Sequence, residues 1–299
     1  MFSATIGFFD GVHAGHRFLI ERLIADAREH EMQSMVITFD QHPRRVLGSD
    51  FQPQLLTTLS EKCQLLSQTG VNSVEVLHFD QSLALLSARQ FMTDILCRQL
   101  QVRRLFIGYD NRFGHNREET FDDYSRYGQA LGMEVVQTPQ LPETDHHVSS
   151  SAIRQYLLQG ELQQASTALG YPYFLSGTVV SGEHVGRTIG FPTANLQPDS
   201  PDKLIPCPGA YAVSVSIDGE HIKWPAMMNI GTRPTFGQHG LTLEVNLFDF
   251  DGDLYGHRLT VSFLQRLRAE QAFDSPEDLV RQLTADRQRA ISLTKRMEF

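Results

Sequence analysis

Two histidines, His13 and His16, stand three residues apart where the sequence predicts the start of a helix, directly after Asp10-Gly11. Side chains at positions i and i+3 of a first helical turn lie on the same face. The same turn presents unpaired backbone N–H groups and the positive end of the helix dipole. An anion bound there would contact two imidazoles and several amides, which is the arrangement of a phosphate site.

Glycines around the histidine pair favour a bound ligand. On spacing alone, a surface location or a metal site is the commoner role of such a pair. Gly7, Gly11 and Gly15, however, remove side chains at positions where a ligand would approach the backbone. The first strand-to-helix turn of an α/β unit is also a common nucleotide-binding position. We therefore interpret residues 5–16 as a phosphate-binding turn.

The elements that would position this turn form an alternating pattern. From Ala4 to about Gly170, strand-like runs are separated by segments with helical spacing, which predicts a parallel sheet covered by helices. One helix is expected between Thr58, a capping residue, and Gly70, with Leu65 and Leu66 on its apolar face. The predicted strands are Ala4–Gly7, Ser34–Phe39, Ser73–Phe79, Arg103–Gly108 and Met133–Thr138.

The second half of the chain has a different pattern, of short β-type runs separated by turn residues. Asp218-Gly219 is the clearest hairpin signal. An antiparallel barrel or sandwich is expected, followed by a last helix that begins at Pro276 after Ser275. We predict a domain boundary between residues 169 and 170. The predicted strands are Phe174–Val180, Ala210–Ile217, Ile222–Ile230, Leu241–Phe248 and Leu259–Phe263.

Length and composition limit the possible function classes. A chain of 299 residues is long for one core and fits two domains. No apolar run approaches the roughly 20 residues that a membrane span needs, and no basic and apolar leader precedes Ile6. We therefore expect a cytoplasmic protein without a membrane partner. A net charge of −9 argues against nucleic acid as a partner. Three widely spaced cysteines are expected to be reduced and mostly buried.

Three further polar segments are expected near the phosphate-binding turn. Residues 38–44 follow the second predicted strand and residues 108–114 the fourth, and the carboxyl ends of parallel strands are where such sheets bind ligands. The third segment is Ser149-Ser-Ser-Ala-Ile-Arg154. Its serines can cap a helix and Arg154 can bind a phosphate with two N–H groups. Taken singly, a plain cap and a solvated arginine are the commoner interpretations.

In this order, the segments resemble the prokaryotic FAD synthetases. The first turn resembles their GxFDGxHxGH form of the nucleotidyltransferase HxGH signature, and the counterparts of the later segments in that family read TFxPHP, GxDxRFG and ISSSxIR. The resemblance implies that an FMN phosphate oxygen attacks the α-phosphorus of ATP and releases pyrophosphate, with Mg²⁺. Catalysis would rest on positioning and charge neutralisation.

The resemblance also implies roles for individual residues. His13 and His16 would hold the reacting phosphorus and the departing phosphates. The remaining implied nucleotide- and phosphate-binding residues of this half are Gly7, Phe9, Gly15, Asp110, Arg112, Ser150 and Arg154, with Asp110 and Arg112 also near the flavin.

The chain departs from the family pattern in several places. Phe8 stands where asparagine is common, Asp40-Gln41 where Glu-Pro is usual, and Glu118-Glu119 where a glycine is frequent. The chain also begins almost at its first strand, whereas a short segment generally precedes it in the family.

In the second half, two groups of polar residues stand out. Residues 177–196 are rich in glycine and end in Pro-Thr193-Ala-Asn195. A threonine hydroxyl and an asparagine carbonyl are hard oxygen ligands suited to the Mg²⁺ carried by ATP, although a polar turn is the commoner role of such residues. Glu244 interrupts an apolar run and would share a strand face with Thr242 and Asn246. An acid on a solvent face is the plain alternative for it.

These second-half segments resemble, in the same order, the riboflavin kinases and their six-stranded barrel. The resemblance implies that Thr193 and Asn195 bind Mg-ATP and that Glu244 is the base for the ribityl 5′-hydroxyl of riboflavin. Residues 182–188 would form a flap over the phosphates. The implied flap residues are Gly182, Gly186 and Thr188, and the implied flavin-binding residues are Asn229, Tyr255, Arg268 and Glu270.

The chain is accordingly identified as a member of the bifunctional riboflavin kinase/FMN adenylyltransferase family. The implied fold is an α/β Rossmann-like nucleotidyltransferase domain, followed by an antiparallel six-stranded β-barrel riboflavin kinase domain with a C-terminal helix. The expected substrates are riboflavin, FMN and ATP, with Mg²⁺. Two alternatives stay open: a cytidylyltransferase-like domain joined to an unrelated barrel, and a catalytically inactive flavin-binding regulator.

Overall fold

The computed structural model describes residues 1–48, 54–109, 111–115, 117–139, 148–182, 186, 189–235 and 238–294, without the side chains of residues 232–240. The chain forms two compact units, Met1–Ser150 and Ser151–Phe299. Each unit corresponds to one of the two predicted folds.

The first unit contains a five-stranded parallel sheet in the order β3-β2-β1-β4-β5. The strands are β1 (Phe2–Ile6), β2 (Gln33–Phe39), β3 (Ser73–Leu77), β4 (Val102–Gly108) and β5 (Glu134–Thr138). The strand order reverses between β1 and β4, and ligands bind at such a point in open α/β sheets. The expected parallel sheet is confirmed.

Helices connect these strands and cover the sheet. They are α1 (Ala14–Glu29), α2 (Pro43–Val46), α3 (Leu59–Ser67), α4 (Gln81–Ala84), α5 (Ala88–Gln90), which continues as a π-helical segment (Phe91–Gln99), and α6 (Phe121–Ala130). Local sequence signals determine several helix ends. At α3, the Thr58 side chain accepts from Glu61 N and the Glu61 carboxylate accepts from Thr58 N, which forms a capping box. Leu65 and Leu66 are buried in the core as predicted.

Two helices follow, α7 (Ser150–Gln159) and α8 (Leu162–Leu169). Residues 151–169 group with the second unit, whereas the sequence-based boundary assigns them to the first domain. Cys207 N donates to the Leu157 carbonyl oxygen at 3.2 Å. A Cβ added to Gly160, just after α7, would lie 2.7 Å from Arg266 Cδ. These contacts tie α7 to the barrel.

The second unit is a closed antiparallel barrel of six strands in the order β10-β7-β6-β11-β8-β9. The strands are β6 (Phe174–Val180), β7 (Ala194–Pro198), β8 (Gly209–Ile217), β9 (Trp224–Thr235), β10 (Gln238–Leu247) and β11 (Arg258–Arg268). Strand β7 is not among the strands predicted from the sequence. Helix α9 (Pro276–Thr294) closes the unit and begins where the Ser275 hydroxyl accepts from Asp278 N, as Pro276 predicted.

The described residues bear on the expectations about membrane-spanning helices and about the cysteines. The helices within them include none that is long and apolar enough to cross a membrane. Cys63, Cys97 and Cys207 are free thiols, as expected, but each is half-buried, so the expectation of mostly buried thiols was too strong.

Candidate active sites

The turn between β1 and α1 has an unusual backbone conformation. Phe9 (φ 54°), Gly11 (φ 78°) and Val12 (φ 38°) all lie in the left-handed region. Only glycine adopts this region without strain, so the two other residues need support from their surroundings. That support comes from contacts that the turn makes with the rest of the first unit.

Asp10 provides much of this support. Its carboxylate accepts hydrogen bonds from Leu56 N (3.1 Å), Thr57 N (3.0 Å) and Thr57 Oγ1 (3.2 Å). Thr57 Oγ1 also accepts from Gly11 N at 3.1 Å. Asp10 is buried. These charge-assisted bonds hold the turn against the segment that precedes α3.

The two histidines lie against each other at the start of α1. Their rings stack with centroids 3.6 Å apart and planes inclined by 17°. His13 is the N-cap of α1, and its Nδ1 accepts from His16 N at 3.4 Å. The neutral imidazole of His13 therefore carries its proton on Nε2, which can donate to a phosphate oxygen. The predicted same-side placement of the pair is confirmed.

Both histidines are neutral at pH 7. Burial lowers the pKa of His13 to about 4. The pKa of His16 is lowered well below its usual value by burial and then by the charges of His13 and Lys62. His16 Nδ1 is buried and has no hydrogen-bond partner within the described residues. A buried, unsatisfied ring nitrogen at a helix start is the kind of group that a ligand would satisfy.

Several other predicted residues lie at the same turn. A Cβ added to Gly15 would lie 3.3 Å from the His13 ring, and one added to Gly7 would lie 3.1 Å from the Phe9 ring. The Phe9 ring contacts His16 edge-on at 5.1 Å. The Ser150 hydroxyl donates to the Asp10 carbonyl oxygen at 3.0 Å. The turn therefore brings together Gly7, Phe9, His13, Gly15, His16 and Ser150.

The segment after β4 and helix α7 carry the remaining residues that were predicted for the first site. Asn111 Nδ2 donates to the Ile6 carbonyl oxygen at 2.7 Å and ties the segment after β4 to the end of β1. Asp110 lies outside the described residues. Arg112 is exposed in that segment. Arg154 lies on α7, in the second unit. The roles of these three residues stay predictions.

The second candidate site is a row of residues on three neighbouring strands. Glu244 of β10 pairs with Asn195 of β7 on one side and with Asn229 of β9 on the other. Directly paired residues of an antiparallel sheet project from the same face. The neighbours Leu243 and Val245 are buried on the opposite face. Three residues predicted from separate motifs thus lie side by side.

The glycine-rich segment packs on this row. A Cβ added to Gly182 would lie 1.9 Å from Asn195 Nδ2, and one added to Gly186 would lie 3.3 Å from Thr193 Oγ1. Asn246 Nδ2 donates to the Pro192 carbonyl oxygen at 2.6 Å and holds the segment before Thr193 against β10. The structure therefore brings Gly182 and Gly186 to the two predicted magnesium ligands. Thr188 lies outside the described residues.

Of the predicted flavin-binding residues, Asn229 belongs to this row and Glu270 lies beside it. Its Oε1 would lie 3.0 Å from a Cβ added to Gly231, which neighbours Asn229 and Thr242. Tyr255 is 46% exposed between β10 and β11. Arg268 instead forms an ion pair with the buried Asp286 of α9, with Nε 2.9 Å from Oδ2. Arg268 therefore links the end of β11 to the last helix, and its flavin contact stays a prediction.

The side-chain oxygens of the predicted ligands, in this row and just before it, are of the kind that would suit magnesium delivered by a nucleotide. Thr193 and Asn195 supply a hydroxyl and an amide oxygen, and Glu244 lies beside Asn195. The described residues contain no group of three or more His, Cys, Asp or Glu side chains suited to a metal. Mg²⁺ bound to ATP uses few protein oxygens and takes its other ligands from phosphates and water. Such a donor set matches that coordination.

The residues that hold the first turn in place were not predicted from the sequence. Thr57 and Lys62 contact it from a segment 46 and 54 residues away along the chain. Their one local signal was the helix start at Thr58. No spacing rule relates that helix to the first turn, so only the fold reveals these contacts.

Comparison with known proteins finds similarity over almost the whole chain. A family model described as FAD synthetase matches residues 2–152, and one described as riboflavin kinase matches residues 169–294. The bifunctional riboflavin kinase/FMN adenylyltransferase of Escherichia coli (strain K12) is 40% identical over 282 residues, which cover 94% of this chain and 89% of that protein. The protein of the same name from Bacillus subtilis (strain 168) is 36% identical over 295 residues, covering 96% and 90%.

A solved structure has a similar fold over both units. It is a crystal structure described as a macrolide-efflux protein from Streptococcus pneumoniae. It superposes with a TM-score of 0.87 at 33% identity and covers 96% of this chain and 92% of that chain.

Proposed function

The chain belongs to the bifunctional riboflavin kinase/FMN adenylyltransferase family, and we propose that its two reactions occur at the two sites described above. The chain phosphorylates riboflavin to FMN and transfers the adenylyl group of ATP to FMN. Adenylyl transfer is assigned to the turn before α1, and phosphorylation to the row formed by β7, β10 and β9. ATP as co-substrate of both reactions favours the cytoplasm as the location.

The stacked pair His13–His16 carries the first assignment. An FMN phosphate oxygen attacks the α-phosphorus of ATP, a new P–O bond forms, and the bond to the departing pyrophosphate breaks. His13 donates from Nε2 to a phosphate oxygen, and the amides at the start of α1 bind negative charge. Neither the His13 imidazole nor these backbone amides have to lose or gain a proton at pH 7. Catalysis rests on positioning and on preorganised donors.

The row Asn195–Glu244–Asn229 carries the second assignment. The hydroxyl of riboflavin is a poor nucleophile until a carboxylate accepts its proton, and Glu244 is the carboxylate in this row. The hydroxyl oxygen then attacks the γ-phosphorus of ATP and ADP leaves. Thr193 and Asn195 would hold Mg²⁺, which supplies charge stabilisation for the transferred phosphoryl group when bound. Gly182 and Gly186 permit a close approach of their segment to these ligands.

Chromatographic separation of riboflavin, FMN and FAD tests both assignments in one chain. With riboflavin, ATP and Mg²⁺, the parent forms FMN and then FAD. The double variant His13→Ala/His16→Ala should accumulate FMN, because loss of a preorganised donor costs on the order of 10²–10³ in rate. Glu244→Gln should leave riboflavin unconverted yet still convert supplied FMN to FAD.

Exposed residues provide matched controls for these variants. His221→Ala and Glu220→Gln remove an exposed imidazole and an exposed carboxylate outside both sites. Each should keep both activities. FAD formation at the parental rate by the double histidine variant would refute the first assignment, and parental FMN formation by Glu244→Gln would refute the second.

A further inference from the structure

A buried lysine lies beside the phosphate-binding turn and has no role in the assignments above. Lys62 of α3 is 2% exposed. Its Nζ donates to the carbonyl oxygens of Phe8 (3.1 Å) and Phe39 (2.8 Å). The centroid of the Phe8 ring lies 4.0 Å from Nζ. The ammonium group therefore connects the segment after β1 to the last residue of β2.

The charge of Lys62 is not neutralised by direct contact. Within the described residues, no carboxylate lies within ion-pair distance of its Nζ. The titratable groups that face it are Asp10, Asp40, Cys63 and His16. The two carboxylates among them are also bound by other donors. Asp10 accepts from Leu56 and Thr57, as described above, and Asp40 accepts from His78 Nδ1 (2.6 Å) and Phe79 N (3.0 Å). Asp10 and Asp40 therefore balance part of the Lys62 charge from a distance, and this charge also acts on His16 of the turn.

The turn needs such a charge. His13 and His16 are neutral at pH 7, whereas the proposed reaction brings an anionic triphosphate and a phosphate monoester together. Lys62 also cannot easily reach a substrate. Two of its three N–H groups bind carbonyl oxygens, and the Phe8 ring covers the ammonium group. Its effect on the substrates must therefore act through the turn that it holds and through the electrostatic field of its buried charge.

We propose that Lys62 is a positioning residue for adenylyl transfer, which fixes the Phe8 and Phe39 carbonyls and supplies the positive charge that the neutral histidines lack. This inference rests on the assignment of adenylyl transfer to the His13–His16 turn. Phe8 takes part as well, because its ring covers the ammonium group.

The test compares Lys62→Met and Lys62→Arg with Lys203→Met. Lys203 is a matched control, because it is also 2% exposed and faces the aromatic rings of Tyr173 and Phe174 but lies in the second unit. For FMN adenylylation, Lys62→Met should lower kcat/KM by about tenfold or more, which is less than the 10²–10³ expected for a direct donor. Lys203→Met should keep the parental value, and all three variants should phosphorylate riboflavin normally.

The pH profile separates an electrostatic role from a merely structural one. Burial lowers the pKa of Lys62 to about 8, so its charge is lost as the pH rises through that value. The kcat/KM of the parent for FMN adenylylation should therefore fall above about pH 8. This fall should be absent in Lys62→Arg, whose guanidinium stays charged, and in Lys62→Met, whose lower activity should be flat. Riboflavin phosphorylation should not show the fall.

Two results would overturn the inference. One is parental FMN adenylylation by Lys62→Met. The other is a Lys62→Met profile that keeps the fall above about pH 8, because the fall would then belong to another group. If Lys62→Arg does not fold, the comparison of Lys62→Met with the parent decides alone. Absence of FAD formation by the parent would instead refute the proposed function, so the two failures are distinguishable.

Discussion

Gly182 lies so close to the Asn195 side chain that a Cβ added to the glycine would be 1.9 Å from Asn195 Nδ2. Asn195 is paired in turn with Glu244 across the β7–β10 ladder. A backbone segment without a side chain therefore packs directly on the proposed magnesium ligand. The space at Gly182, and not its backbone angles, requires glycine at this position.

We predict that Gly182→Ala impairs riboflavin phosphorylation and spares FMN adenylylation. The new methyl group must displace either Asn195 or residues 181–182, and a misplacement of about 1 Å can cost on the order of 10²-fold in rate. Steady-state rates of FMN and FAD formation measure the two effects. Gly219→Ala is the control, because it adds strain at φ 79° but meets no atom within 4 Å. Parental FMN formation by Gly182→Ala would show that Asn195 is not needed in its observed place.

The pKa of His13 predicts how the stability of the first unit depends on pH. Burial lowers this pKa to about 4, whereas an unfolded histidine titrates near 6.5. Between these values the unfolded state binds more protons, so stability rises with pH across this window and is fully present above it. We expect the stability difference between pH 5 and pH 7 to shrink in His13→Gln. Hydrogen exchange of the β1 and α1 amides measures it for this unit alone.

His78 provides a control because its contribution to stability changes with pH in the opposite direction. Its pKa is raised by the hydrogen bond to Asp40 and by the charge of that carboxylate. Its contribution to stability is therefore present below the unfolded pKa and lost as the pH rises through the folded one. His78→Gln should steepen the increase of stability with pH, whereas His13→Gln should flatten it. Identical slopes in the parent and in His13→Gln would contradict the buried, neutral state of His13.

Local patterns predicted most of the fold. Alternating strand and helix signals located all five parallel strands, although only the inner strands β1, β2 and β4 are mostly buried and the edge strands β3 and β5 are largely half-buried or exposed. Helix starts such as Thr58 and Ser275-Pro276 depend only on neighbouring residues, so they were also found. Strand β7 was missed because Ala194–Pro198 is short and follows a segment typical of a turn. Its place in the barrel depends on pairing with β6 and β10, which no local pattern encodes.

The candidate sites were predictable to a similar extent. Spacing alone placed His13 and His16 on one side of a helix start, and the resemblance supplied Asn195, Asn229 and Glu244. The alignment of these last three residues across three strands depends on register, which the sequence does not display. The support from Asp10, Thr57 and Lys62 was likewise invisible, because it joins segments that only the fold brings together.

We predict that Asp10→Asn destabilises the phosphate-binding turn. The carboxylate accepts three hydrogen bonds, and an amide would direct its NH₂ group at one of the backbone donors. A hydrogen bond to a charged group contributes roughly 1.5–3 kcal/mol. FAD formation should therefore be lost at a lower urea concentration than in the parent, while FMN formation should persist. Asp122→Asn, at an exposed position of α6, should leave both midpoints unchanged.

Arg268 tests whether the end of β11 anchors α9 or binds flavin. Arg268→Met would remove the ion-pair partner of the buried Asp286 and leave it the hydrogen bond from Gln282 Nε2, and breaking a buried ion pair costs about 3–5 kcal/mol. We expect a lower Tm of the barrel, and a double variant Arg268→Met/Asp286→Leu should recover part of it. Thermal unfolding followed by the fluorescence of Trp224, the single tryptophan, reports this unit. An unchanged Tm with a raised KM for riboflavin would instead favour a direct flavin contact.

The contacts of α7 and α8 predict where an independent kinase fragment must begin. Leu157 accepts a hydrogen bond from Cys207 N, Gly160 packs against Arg266, and the buried Leu162 and Leu169 lie on α8, which packs against β11. Full burial of a leucine contributes about 1.5–3 kcal/mol, so losing both helices would remove a large part of a typical domain stability of about 5–15 kcal/mol.

A fragment of residues 151–299 should therefore unfold cooperatively, phosphorylate riboflavin and make no FAD. A fragment of residues 170–299 should be far less stable in urea, as Trp224 fluorescence would show. Equal midpoints for the two fragments would mean that the helices are dispensable and that the kinase unit begins at the boundary predicted from the sequence.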